Sequence, residues 1–186
     1  LSGARVERVL DEAKIAWPTL DRDIDTGNAT LAAGTAIGNA LSYLQEVETS
    51  EAGLIFMTKD GKFGFRERLL APDGSAIMLQ DAFTDAGDGI PYQGIQIAYG
   101  VELLTNDVTV TSAEGTATAE DAPSQQSYGV TAEDIDTLLA SGSLQGLADY
   151  IVARFSQPEY RIQSVSIDLN KLTTGEANQV LSLELG

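Results

Sequence analysis

Leu54-Ile55-Phe56-Met57-Thr58-Lys59-Asp60-Gly61-Lys62-Phe63-Gly64-Phe65-Arg66-Glu67-Arg68 is the stretch that decides the reading of the fold. Two strand-like runs flank Asp60-Gly61, a dipeptide that favours a tight hairpin with both turn residues at positive φ. Phe63 and Phe65 alternate with Lys62, Gly64 and Arg66, so one face of the return strand is apolar and the other polar.

On the N-terminal side, Val6, Val9, Leu10 and Ala13 recur at helical spacing, which predicts a helix from Ser2 to about Lys14 with Ser2 as its N-cap. Trp17-Pro18 closes it, because proline pushes the preceding residue out of the helical region. Asp21 to Asn28 reads as a polar turn. A second helix is expected from about Thr35 to Glu48, with Ile37, Leu41, Leu44 and Val47 on its buried side.

On the C-terminal side, Pro72-Asp73-Gly74 marks a turn before a short strand Ala76–Leu79, and Asp81 to Pro91 reads as a loop. Strands are expected at Ile95–Tyr99, at the β-branched run Val108-Thr109-Val110-Thr111, and at Thr116–Ala119. Asp121 to Gly129 reads as a polar connector. Helical stretches follow at Asp134–Ala140 and Leu144–Phe155, the second ended by Pro158, and a last strand opens with Ile162, Val165 and Ile167. Hairpins interspersed with separate helices predict an α+β fold of antiparallel β-hairpins with packed helices, not a parallel α/β sheet. Two regions are expected: 1–100, with two helices, the hairpin and further strands, and 101–186, with strands and a helical pair.

The chain has 186 residues and is 43% apolar, enough for one large domain or two small ones to bury a core. No run approaches the ~18 apolar residues of a bilayer span. The opening Leu1-Ser2-Gly3-Ala4-Arg5 has no initiator Met or signal sequence, and Val180 to Gly186 reads as a strand cut off in mid-course. An ordered segment of a longer polypeptide is therefore expected. Acidic residues outnumber basic ones 28 to 11, for a net charge of −17. Such a surface repels phosphate backbones and disfavours nucleic-acid binding through a basic patch. It serves solubility, or forms a wall that DNA passes without sticking; both readings stay open.

With no cysteine and no histidine, disulfides, zinc–thiolate sites, Ser-His-Asp and Cys-His catalysis fall away. An enzyme would have to work with carboxylates, Lys, Tyr or Ser. Asp21, Asp23 and Asp25 ahead of Gly27 suggest a calcium loop, but an EF-hand needs Gly at position six and Glu at twelve, where this chain has Thr26 and Ala32. Capping of the following segment is the better account. Asp85 and Asp88 are read as solvated turn residues in preference to a cation site. Glu46 with Glu48, and Glu133 with Asp134, are read as a solvated face, since neighbouring helix positions point apart. Gly34 and Gly38 lack the strand–turn–helix context of a phosphate loop. No catalytic, cofactor-binding or metal-binding residue is assigned, and no cofactor is expected.

Taken in order, these elements resemble the minor tail proteins of siphophages that infect actinobacteria, and related prophage tail-hub components. Gly3-Ala4-Arg5-Val6 and Val9-Leu10-Asp11 resemble that family's first helix, and Trp17-Pro18 its terminator. Arg22-Asp23-Ile24-Asp25-Thr26-Gly27 is similar to its R-x-(L/I)-D-T-G turn. Ala40-Leu41 with Leu44-Gln45-Glu46 resembles its second helix. Glu51-Ala52-Gly53-Leu54-Ile55-Phe56, Asp60-Gly61 and Phe65-Arg66-Glu67-Arg68 resemble its hairpin. Further on, Gly89-Ile90-Pro91-Tyr92, Leu104 to Val110, Ser124 with Tyr128-Gly129, Ala148-Asp149-Tyr150 to Pro158, and Arg161-Ile162 resemble its later strands, connector and last helix. Leu183-Glu184-Leu185-Gly186 is similar to its run-on into another β domain. The run Ala13-Lys14-Ile15-Ala16 is slightly longer than the family's Gly-Trp-Pro approach. Individually these pieces are common; the ordered set is specific.

The resemblance implies a structural, non-enzymatic module of a β-barrel-rich hub at the tail tip of the virion. It implies a homotrimer that closes the tail tube and meets distal tail, tape-measure and tip or fibre proteins. Two other functions compete with it. A receptor- or glycan-binding module would need an exposed aromatic platform, and a carboxylate-dependent hydrolase would need a buried acidic cleft.

Overall fold

The computed structural model describes residues 1–34, 38–68, 83–84, 89–100 and 104–183. Its architecture is α+β, as expected, with helices packed on small antiparallel and mixed sheets. The expected strand Ala76–Leu79, the turn at Pro72-Asp73-Gly74, and Asp85 and Asp88 lie outside the described residues.

The quoted hairpin forms, with β2 (Leu54–Met57) antiparallel to β3 (Phe63–Arg66) and Met57 opposite Phe63. Its turn differs from expectation. Among the described residues only Ala16 and Ala52 have positive φ without being glycine, so Asp60 does not adopt it, whereas Gly61 has φ of +80°. The Gly61 N–H bonds to the Thr58 carbonyl and the Thr58 N–H to the Lys62 carbonyl, a longer loop needing one left-handed residue instead of two. Phe63 and Phe65 are buried as expected, but Gly64 between them is buried too, against the Phe56 ring, over which Arg66 also lies. A strand that sequence reading had as a polar turn, β1 (Arg22–Ile24), adds to β3 in parallel.

Two helices cover this sheet. In α1 (Ser2–Leu10) Val6, Val9 and Leu10 are buried as their spacing predicts. The helix stops at Leu10, not Lys14, so Ala13 is exposed, and the Trp17 N–H bonds back to the Leu10 carbonyl. Ser2 is not the N-cap; Leu1 is, and Ser2 lies buried inside the first turn. The second helix, α2 (Ala40–Glu51), starts after the Asn39 cap, whose side chain accepts the Leu41 N–H. Thr35 and Ile37 lie outside the described residues. Leu44 and Val47 are buried with Tyr43, but Leu41 is exposed, because the inward face runs through Tyr43, Ser50 and Glu51. Val6, Val9, Leu10, Tyr43, Leu44, Val47, Phe63 and Phe65 form the first core.

The second core builds on β5 (Asp107–Ser112), whose Val108 and Val110 point inward. Strand β6 (Gly115–Glu120) pairs with it antiparallel and β7 (Ala132–Asp136) parallel, and α4 (Ser141–Phe155) covers the sheet with Leu144, Leu147, Ala148, Ile151 and Val152. The stretch Asp134–Ala140, expected to be helical, contains no helix: 134–136 are strand because the free edge of β5 supplies a ladder and turns Ile135 toward the core, and 137–140 run on from it to the Leu139 bridge. The expected connector after Asp121 contains α3 (Ala122–Tyr128), capped by Asp121 with Pro123 in its first turn.

Segment 29–32 joins the two cores. Ala29 belongs to the second core, Leu31 packs on both, and Leu31 bridges Leu139. A further strand pair, β4 (Gly94–Gly100) and β8 (Glu159–Ser166), forms an antiparallel ribbon. Of the C-terminal strand expected over Val180 to Gly186, residues 180–182 are instead the end of α5 (Thr174–Ser182), while 184–186 lie outside the described residues; α5 is opened by a capping box in which Thr173 and Glu176 satisfy each other's backbone N–H. Among the described residues no helix is long and apolar enough to cross a membrane.

Candidate functional site

Two buried polar clusters hold most of the chain's unusual side chains. The first centres on Glu51, a fully buried carboxylate at the end of α2. One oxygen accepts the Ala29 N–H at 2.8 Å and the Ser2 hydroxyl, and both oxygens lie 3.1 Å from the Asn28 N–H. The Arg68 guanidinium approaches the other oxygen at 3.4 Å and also lies over the Tyr150 ring of α4. A buried carboxylate is tolerable only with such donors around it. Here the first turn of α1, the 27–29 turn, the segment after β3 and α4 all meet.

Around it runs a set of ion pairs. Burial works against the charge of Arg22, but Glu7 and Asp11 outweigh that and hold the guanidinium above its usual pKa. Asp23 pairs with Arg66 at 2.7 Å, a hydrogen bond that holds its carboxyl below the ordinary range. Asp25 accepts the Glu67 N–H at 3.2 Å and lies 3.6 Å from Arg66. These aspartates thus cross-link to β3 and the segment after it, in place of the capping expected of them. Arg5 reaches the Tyr43 hydroxyl and, at 2.9 Å, the Ala32 carbonyl.

The second cluster centres on Asn106, also fully buried. Its Nδ2 donates to Ser124 Oγ at 3.1 Å and to the Gly129 carbonyl at 2.8 Å, while its Oδ1 accepts the Thr131 N–H at 2.8 Å. Its own carbonyl receives the Asp121 N–H and Gln125 Nε2, both at 3.0 Å. Ser124 in turn donates to the Ser156 carbonyl after α4. One amide side chain therefore locks β5, α3, the turn before β7 and the end of α4. Sequence reading passed over it, although an Asn side chain can both donate and accept from one planar group.

The remaining acidic candidates are dispersed. Glu46 is exposed, whereas Glu48 turns back to accept the Ile55 N–H at 2.6 Å. Glu133 and Asp134 lie on a strand, where consecutive side chains point to opposite faces, and Glu133 accepts the Thr105 hydroxyl. In a shallow hollow between α3 and α4, Asp121 accepts from Ser156, Ser124 and Gln157; the Ser156 bond first, then that of the Ser124 N–H, lowers its pKa. Among the described residues there is no group of three or more acidic side chains placed to hold a metal, and no buried side-chain polar atom lacks a partner. Neither cluster leaves its central side chain free to meet a substrate. No family model matches the chain, and no curated protein matches its sequence.

Proposed function

We propose that this chain is a structural module of a bacteriophage tail tip or hub, packing as one subunit of a homotrimer that closes the tail tube. Its neighbours would be the distal tail, tape-measure and tip or fibre proteins. The observation that carries this reading is where the motif residues sit. Gly3, Arg22 to Gly27, Glu51 and Arg66 to Arg68 gather at or around the first cluster, and Asn106, Ser124 and Gly129 at the second. These motif residues bond to one another and to the backbone, which supports a role in holding the shape of a scaffold. Electron microscopy of virions carrying this chain should place three copies around the tail axis at the tip. A different copy number ends the trimer, and a position away from the tail ends the reading.

A second reading is a receptor- or glycan-binding module at the tail tip. It is favoured by Tyr99 and Tyr160, exposed side by side with ring centroids 4.8 Å apart. Loss of glycan-array binding on replacing both tyrosines is its test.

A further inference from the structure

The β4–β8 ribbon has two unlike faces, and a register shift makes them so. Ile95 stands opposite Val165, but beyond Gln96 strand β8 skips Gln163, so that Ile97 meets Ile162 and Tyr99 meets Tyr160. With an unbroken register Ile97 would face Gln163 and Tyr99 would face Arg161. The bulge thus gathers three apolar rows on one side, while Gln96 and Ser164 hydrogen-bond on the other at 3.0 Å.

Among the described residues these rows are left largely uncovered. Tyr160 is 77% exposed, Ile162 62%, Tyr99 58% and Ile97 55%. Among the described residues the ribbon has at most marginal contact with other helices and strands. A lone two-stranded ribbon is marginal in water, and the exposed apolar area, roughly 500–600 Å², is at the top of the range for a monomer's largest patch.

We infer that this face is where copies of this chain meet, their ribbons converging on the axis of the proposed trimer. Two observations choose that occupant. Each copy carries a charge of −17, so copies can approach only over a surface free of carboxylates, and the six residues of the stripe are all uncharged; a basic partner would be drawn to the acidic surface elsewhere. With its rim, the patch also approaches the ~800 Å² that each partner contributes to a stable interface. This inference rests on the self-assembly proposed above and names its surface.

The test is sedimentation of the 186-residue chain across concentration. The native chain should self-associate, more tightly at high salt as repulsion is screened. Ile97→Lys with Ile162→Lys should weaken association by at least about 100-fold, with an unchanged circular dichroism spectrum. Leu20→Lys, at an exposed site away from the ribbon, should leave it intact. Should the double variant fail to fold, amide exchange in the native chain decides: ribbon amides should slow as concentration rises. A chain that stays monomeric throughout overturns the inference, as does association that survives in a folded double variant or leaves the ribbon amides unprotected. Neither result bears on the position of the chain in virions, which tests the proposed function separately.

Discussion

The Ser2 hydroxyl donates to the Glu51 carboxylate, joining the first turn of α1 to the last turn of α2 across 49 positions of sequence. Three consequences follow from the company this pair keeps: the oxygens of Glu51 are shared with two backbone N–H groups and Arg68, the site is closed to water, and Ser2 is unavailable as a cap.

Glu51→Gln replaces an accepting oxygen with a donor that faces other donors. It should destabilise the protein by about 2–4 kcal/mol, whereas the exposed Glu46→Gln should stay within about 0.5 kcal/mol. Urea unfolding of both variants checks this; equal effects would show that the buried contacts contribute nothing special.

Asn106→Leu should cost about 2–4 kcal/mol, because Ser124 loses a partner in a buried place and the Thr131 N–H and the Gly129 carbonyl lose theirs in a partly buried one. Asn106→Asp should also destabilise, since it keeps the shape but removes the donor. A neutral Asn106→Asp would mean that water replaces the amide.

Two glycines should respond in opposite directions. A Cβ on Gly3 would lie 1.9 Å from the Asp25 carbonyl oxygen, against backbone that cannot step aside, so Gly3→Ala should cost more than about 3 kcal/mol. Gly146 is exposed within α4 with nothing near its missing Cβ, and Gly146→Ala should stabilise by about 0.5–1 kcal/mol. Thermal unfolding separates the two.

Acid should weaken the Asp23–Arg66 tie. Because the folded state lowers the Asp23 pKa, the tie's contribution is present above the ordinary value of 3.8 and is lost as pH falls through the lower folded one. Asp23 is half exposed, so the contribution is about 1 kcal/mol or less. The stability difference between native chain and Asp23→Asn should therefore shrink toward zero in acid; a difference that grows would reverse the assignment.

Local chemistry was legible wherever one element carried its own signal. Phe63 and Phe65 announced the buried face of a strand, Leu144 to Val152 that of a helix, and Asp60-Gly61 the turn between two strands. Two helices left weaker marks. Asp121 with Pro123, and Thr173 with Glu176, are cap signatures without an apolar stripe beside them, so periodicity passed over α3 and α5. The metal reading of Asp21, Asp23 and Asp25 failed on spacing alone, but only the fold showed Arg66 as the partner of Asp23 and Asp25.

By itself the sequence determined the α+β class and which side chains seek burial, since alternation and helical spacing are properties of neighbours along the chain. Tertiary structure decided what long-range partners impose. Residues 134–136 became strand because β5 offered an edge, Ser2 became a hydrogen-bond donor to Glu51 instead of a cap, and one skipped residue in β8 turned Ile162 and Tyr160 to the same side as Ile97 and Tyr99. Such choices depend on groups dozens of residues away, whose positions exist only once the chain has folded.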